Sequence, residues 1–141
     1  MKQYVVDASV SVKWFLPEIH SRDALRLLNK EFELLAPDLI FAEFGNVLWK
    51  KLRADEIDSD SAAKILADFK RIPLIIISSE IILDVTWKIS ELYQRSFYDS
   101  LYLAVAETQE CQLVTADKKF YNALKSTPLG KSLQWIENLK A

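Results

Sequence analysis

Short apolar runs alternate along this chain with longer segments whose apolar residues recur at helical spacing. Gln3 to Val6 predicts a short buried strand, and Ala8 to Leu16 predicts a helix that Pro17 stops. Ser21 stands where it could cap a helix carrying Ala24, Leu25, Leu27 and Leu28. Glu33 to Ala36 predicts a weaker strand before Pro37. Asp38 is then placed to cap a helix with the stripe Ile40, Phe44, Val47, Leu48 and Leu52, which leaves Glu43 and Asn46 on a neighbouring face. A further helix is expected from about Ser59 to Phe69. Leu74 to Ile77, opened by Pro73, reads as the clearest strand, and Ser79 as the cap of a helix through Tyr93. Ser96 to Glu110 is apolar nearly all round, the signature of a central helix covered on most sides. Gln112 to Thr115 predicts a strand, Phe120 to Lys125 a helix, and Leu133 to Ile136 a last short strand.

Strands that alternate with helices predict an α/β chain: a three-layer α/β/α arrangement around a central, mostly parallel sheet of four to five strands, in one domain over residues 1–141. In such sheets ligands gather beyond the carboxyl ends of the strands, where strand order reverses. Asp7 and Asp117 occupy that end of two predicted strands. Glu43 and Asp99 fall in the first turns of predicted helices that would start at the same edge. Each of the four stands where an apolar run meets polar sequence, and carboxylates are seldom placed so without a partner. A shared cation would explain all four.

Composition acts mainly by exclusion. With only Gly45 and Gly130, the chain can build neither a glycine-rich phosphate loop nor a dinucleotide fingerprint. One cysteine, Cys111, and one histidine, His20, make neither a disulfide nor a zinc site. No run approaches the roughly 20 apolar residues of a membrane span, so the expectation is a soluble, cytoplasmic protein without membrane contact. A net charge of -2 argues against broad, salt-driven nucleic-acid binding while allowing a local basic cluster.

Four stretches together resemble the PIN-domain ribonucleases, in particular the toxins of VapC-type toxin–antitoxin pairs. They are Val5-Val6-Asp7-Ala8-Ser9-Val10 running on to Val12-Lys13-Trp14-Phe15-Leu16-Pro17-Glu18, then Ala36-Pro37 with Glu43 and Asn46-Val47-Leu48-Trp49, then Tyr98-Asp99-Ser100-Leu101-Tyr102-Leu103-Ala104, then Leu113-Val114-Thr115-Ala116-Asp117. The resemblance implies a PIN-like fold, an endoribonuclease dependent on Mg²⁺ with Mn²⁺ able to substitute, an RNA substrate, a cognate antitoxin and a homodimer. Members often carry a further acid just beyond the fourth; Lys118, Lys119 and Phe120 stand there instead, which speaks against a tightly held second metal.

The chemistry is consistent with that implication. Mg²⁺ takes hard oxygen ligands and keeps several waters, so one or two direct carboxylates suffice. Asp7 and Asp117 are the expected direct ligands because strand ends hold side chains rigidly, with Asp99 and Glu43 acting on the metal and nucleophile through water. Ser9, Asn46 and Thr115 are candidates to orient these groups, and Lys13 to neutralise a substrate phosphate. Plainer roles compete with each assignment. Asp7 and Asp117 could simply cap helices, Glu43 could be a solvated helix residue, and Ser96-Phe97-Tyr98-Asp99 has capping-box spacing. Lys13 and His20 could be surface residues. Trp14, Trp49, Trp87 and Trp135 read as core or interface rather than as base-stacking platforms, and Cys111 as a small buried hydrophobe. Two other classes remain open: a catalytically silent binding module on the same fold, and a receiver-like Mg²⁺-binding signalling domain.

Overall fold

The computed structural model describes residues 1–139. Five strands form one sheet: β1 (Lys2–Val5), β2 (Phe32–Pro37), β3 (Leu74–Ile77), β4 (Gln112–Thr115) and β5 (Leu133–Trp135). Their order is β3-β2-β1-β4-β5, and every pairing is parallel. A receiver-like domain would carry the order 2-1-3-4-5 instead, so topology removes that alternative. Strand order reverses between β1 and β4, and the crevice beyond their carboxyl ends opens there.

Seven α-helices connect the strands: α1 (Ala8–Ser11), α2 (Ser21–Leu25), α3 (Leu39–Arg53), α4 (Ser59–Arg71), α5 (Leu83–Tyr93), α6 (Phe97–Thr108) and α7 (Lys118–Leu124). Right-handed crossovers put the helices that precede β3 on one face and α5, α6 and α7 on the other. The first layer is held by aromatic packing. Phe44 of α3 stacks on Phe69 of α4 with centroids 3.8 Å apart and planes 5° from parallel, and Phe15 meets both edge-on. Truncating Phe44 to alanine would cost roughly 3–5 kcal/mol by opening a cavity in this cluster. The second layer centres on α6, where every residue from Ser100 to Ala106 is buried against β1, β2 and β4. Among the described residues no helix is long and apolar enough to cross a membrane.

Several local expectations change. The helix expected over Ala8–Leu16 is α1 followed by a 3₁₀ turn, Val12–Trp14, because the chain must swing away before Pro17. Neither Asp38 nor Ser79 caps a helix with its side chain. The Ser79 amide and hydroxyl bond the Asp38 carboxylate across 41 positions, which holds that carboxyl below its usual range. Ser21 accepts the Glu18 amide and donates to the Leu16 carbonyl, so it ties the preceding loop rather than capping α2. Of the tryptophans, Trp14 and Trp135 are in the core, while Trp49 and Trp87 are exposed at 55% and 61%.

Candidate active site

β1 delivers Asp7. Val5 and Val6 are fully buried, and the chain then turns into α1 with Asp7 at the N-cap. Its Oδ1 accepts the Val10 amide at 2.8 Å and the Ser9 hydroxyl at 2.9 Å. β4 repeats the device, since Asp117 caps α7 through the Phe120 amide at 3.0 Å while the Asp117 amide donates to the Thr115 hydroxyl at 3.1 Å. Both acids therefore do cap helices. Capping uses only Oδ1 in each, and among the described residues no hydrogen bond falls on either Oδ2.

Glu43 and Asp99 arrive differently, from helices. Glu43 lies on the second turn of α3, where its carboxylate stands beside the Tyr102 hydroxyl. Asp99 lies in the first turn of α6, where its amide donates to the Ser96 hydroxyl at 3.0 Å. That is half of a capping box. The return bond from the Ser96 amide is missing among the described residues, as an aspartate is one methylene shorter than the usual glutamate. The Asp99 carboxylate instead faces the Arg95 guanidinium at a loose 3.7 Å.

All four carboxylates line one cleft of about 290 Å³ at the β1–β4 edge, together with Ser9, Asn46 and Thr115. Their crowding has an electrostatic signature. Burial, helped by the charges of Glu43 and Asp99, outweighs the Val10 and Ser9 bonds and pushes the Asp7 carboxyl up to about 6. Tyr102, one turn after Asp99, also lines the cleft; burial and then the nearby Glu43 carboxylate push its phenol well above the usual range. Among the described residues its buried hydroxyl has no hydrogen-bond partner at normal distance and angle, with the Glu43 carboxylate close by.

Among the described residues, no three His, Cys, Asp or Glu side chains form a ready-made metal cage. The donor set is nonetheless all hard oxygen, with two unengaged Oδ2 atoms and an orphaned phenol beside them, and this suits an ion that keeps most of its water. Lys13 does not line the cleft. Its ammonium pairs with Glu18 at 3.3 Å, and Glu18 is shared with Lys51 at 2.7 Å. The cation at the cleft is Lys50, seven residues after Glu43 on α3. Seven residues return a helix to the same face, so Lys50, like Tyr102 three residues after Asp99, carried a readable spacing signal.

Comparison with known proteins identifies the family. The PIN domain profile matches residues 4–125. Ribonuclease VapC1 of Mycobacterium tuberculosis is 32% identical over 123 residues, covering 84% of this chain and 89% of the relative. Ribonuclease VapC3 of Pyrobaculum aerophilum is 30% identical over 119 residues, covering 82% and 89%. Among solved structures, VapBC2 from Rickettsia felis, bound to a DNA fragment from its promoter, superposes with a TM-score of 0.64 at 19% identity over 94% of this chain and 97% of that one, which speaks for the fold. By domain match, by curated relatives and by the placement of its four acids, this chain belongs to the PIN-domain family, on its VapC ribonuclease branch.

Proposed function

We propose that this protein is an endoribonuclease that hydrolyses RNA phosphodiester bonds with Mg²⁺ or Mn²⁺, and that it is the toxin of a toxin–antitoxin pair acting in the cytoplasm. The observation that carries the reading is the convergence of Asp7, Glu43, Asp99 and Asp117, from four separate elements, on one cleft. The VapC ribonucleases to which the chain is related support RNA as the substrate.

Asp7 and Asp117 would hold the metal through their unengaged Oδ2 atoms, with Asp99 contributing charge from α6. A divalent cation bound there supplies positive charge where the phosphoryl oxygens become more negative. Glu43, beside the Tyr102 phenol, accepts the proton of the attacking water. Asn46, one turn along α3, orients that water, while Ser9 and Thr115 keep the two strand-end acids in place. The antitoxin would silence the site by offering a cationic side chain to the same carboxylates. A second copy of the chain would cover the exposed Leu83 and Trp87 of α5.

The test is incubation of purified protein with a mixed RNA pool, with Mg²⁺ or with chelator, followed by mapping of the new ends. Discrete cleavage that chelation abolishes is expected. Intact RNA under both conditions would leave a silent binding module as the better reading.

A further inference from the structure

The last two turns of α3 carry Trp49, Lys50, Lys51 and Arg53 just beyond the cleft, and their side chains have unequal fates. Lys51 is consumed by Glu18 at 2.7 Å and Glu56 at 3.7 Å. Lys50 lines the cleft, is exposed, and forms no ion pair among the described residues although four carboxylates share the cavity with it. Arg53 is likewise exposed and pairs with no acid among the described residues; its guanidinium lies over the Trp49 ring, 5.9 Å from the centroid. That indole is 55% exposed, an unusual placement for a residue that would lower its energy by burial.

On helix geometry Lys50 projects from nearly the same angle as Glu43 but roughly 10 Å further along the axis. Its Cα therefore stands two turns beyond that of Glu43, so that its ammonium reaches the cleft from one end and is placed for a phosphate neighbouring the one the acids would surround. Arg53 and Trp49 continue from Lys50 around the helix, away from the acids. Positive charge leading out of an acidic cleft towards an exposed aromatic ring with a cation on one face is the combination that grips single-stranded nucleic acid: phosphates on the cations, a base on the ring.

Resting on the proposed RNA hydrolysis, we propose that this end of α3 is a subsite for the RNA one nucleotide beyond the residue that adjoins the cut, with Lys50 and Arg53 holding phosphates and Trp49 stacking a base. The subsite positions RNA and takes no part in bond breaking. It makes the enzyme prefer single-stranded RNA that extends past the scissile bond on the α3 side.

The test uses the full-length protein and a single-stranded oligoribonucleotide that it cuts, together with the same sequence shortened at either end so that one nucleotide remains beyond the bond cut. Lys50→Met and Trp49→Ala should each raise KM on the long substrate by roughly tenfold with kcat kept. They should leave one of the two shortened substrates unaffected. Lys50→Arg should restore KM, and Lys50→Met should flatten the dependence of log affinity on log salt by about 0.7, the loss of one phosphate contact on a single strand. Both positions are exposed, so unchanged melting temperatures are expected; a purely structural role would move melting and not the salt slope. Parent-like KM and salt slope in both variants would overturn the subsite. So would loss of antitoxin binding with RNA cleavage intact, which would give the face to a protein partner. No cleavage by the parent would instead remove the proposed function, and the subsite with it.

Discussion

The two acids at strand ends and the two on helices supply the same functional group to one cleft, yet they are held in opposite ways. Asp7 and Asp117 each follow a buried strand, cap the next helix, and have a hydroxyl residue two positions away in their hydrogen-bond network. Glu43 and Asp99 project from helix flanks, and among the described residues their carboxylates meet only the Tyr102 phenol, at Glu43, and a 3.7 Å approach from Arg95, at Asp99. The strand ends thus define where a cation would sit, and the helices bring charge that can adjust to it. One consequence is that capping and metal binding, which compete as explanations in sequence, need not exclude each other, because capping occupies Oδ1 and leaves Oδ2 available to a metal.

The largest expected effect separates charge from capping. Asp7→Asn and Asp117→Asn should each lower RNA cleavage on the order of a thousandfold, because asparagine still caps but brings no charge to a metal. Replacing the same residues with alanine should also remove about 1 kcal/mol of stability, whereas Glu43→Ala and Asp99→Ala should lose cleavage with little change in melting. Equal destabilisation in all four alanine variants would break the distinction between strand-held and helix-held acids.

Metal should act next most strongly. Mg²⁺ or Mn²⁺ binding the native state alone should raise stability by about 2.7 kcal/mol at a free concentration 100 times the dissociation constant. Asp99→Asn should keep the metal-free melting temperature, since the Ser96 cap uses the Asp99 amide and not its carboxylate, and should lose much of the metal-induced rise.

Protonation gives a smaller effect with a definite sign. The folded Asp7 carboxyl sits at about 6 against 3.8 for the ordinary group, so between those values the native state binds the extra proton. In metal-free protein this group's contribution therefore grows as pH falls from 7 towards 4 and is lost as pH rises through 6. Allowing for its partial exposure, the difference is on the order of 1–2 kcal/mol. Parent and Asp7→Asn melting curves, compared across that range without metal, should diverge most at pH 7, where the variant is the more stable.

Smallest of all, Lys13→Met should cost less than about 1 kcal/mol and leave KM for RNA unchanged, because its partner is Glu18 rather than a phosphate.

Local pattern carried the strand-end half of the site well and the helix-flank half less completely. Gln112–Thr115 is a strand with the expected ends, and Asp7 and Asp117 sit where ligand-binding edges form, because both features depend on a few adjacent residues. Position within the sheet is not a local property. Leu74–Ile77 has the strongest strand pattern and forms an edge, with Ile75 and Ile76 at 39% and 36% exposure, whereas the weaker Glu33–Ala36 run belongs to β2, second from that edge and mostly buried. Asp38 and Ser79 each have a credible capping context, and only folding reveals that they bond each other. For the same reason Lys13, six residues after Asp7 in sequence, lies off the cleft, while Lys50, remote in sequence from the strand ends, lines it.

The central claim is convergence of four carboxylates on one cation. It is tested most directly by titrating Mn²⁺ into metal-free protein and following free Mn²⁺ by electron paramagnetic resonance, for the parent and for Asp7→Asn, Glu43→Gln, Asp99→Asn and Asp117→Asn. The account predicts saturable binding by the parent, weakened in every variant and most in the two strand-end variants. Parent-like Mn²⁺ affinity in both Asp7→Asn and Asp117→Asn would contradict it.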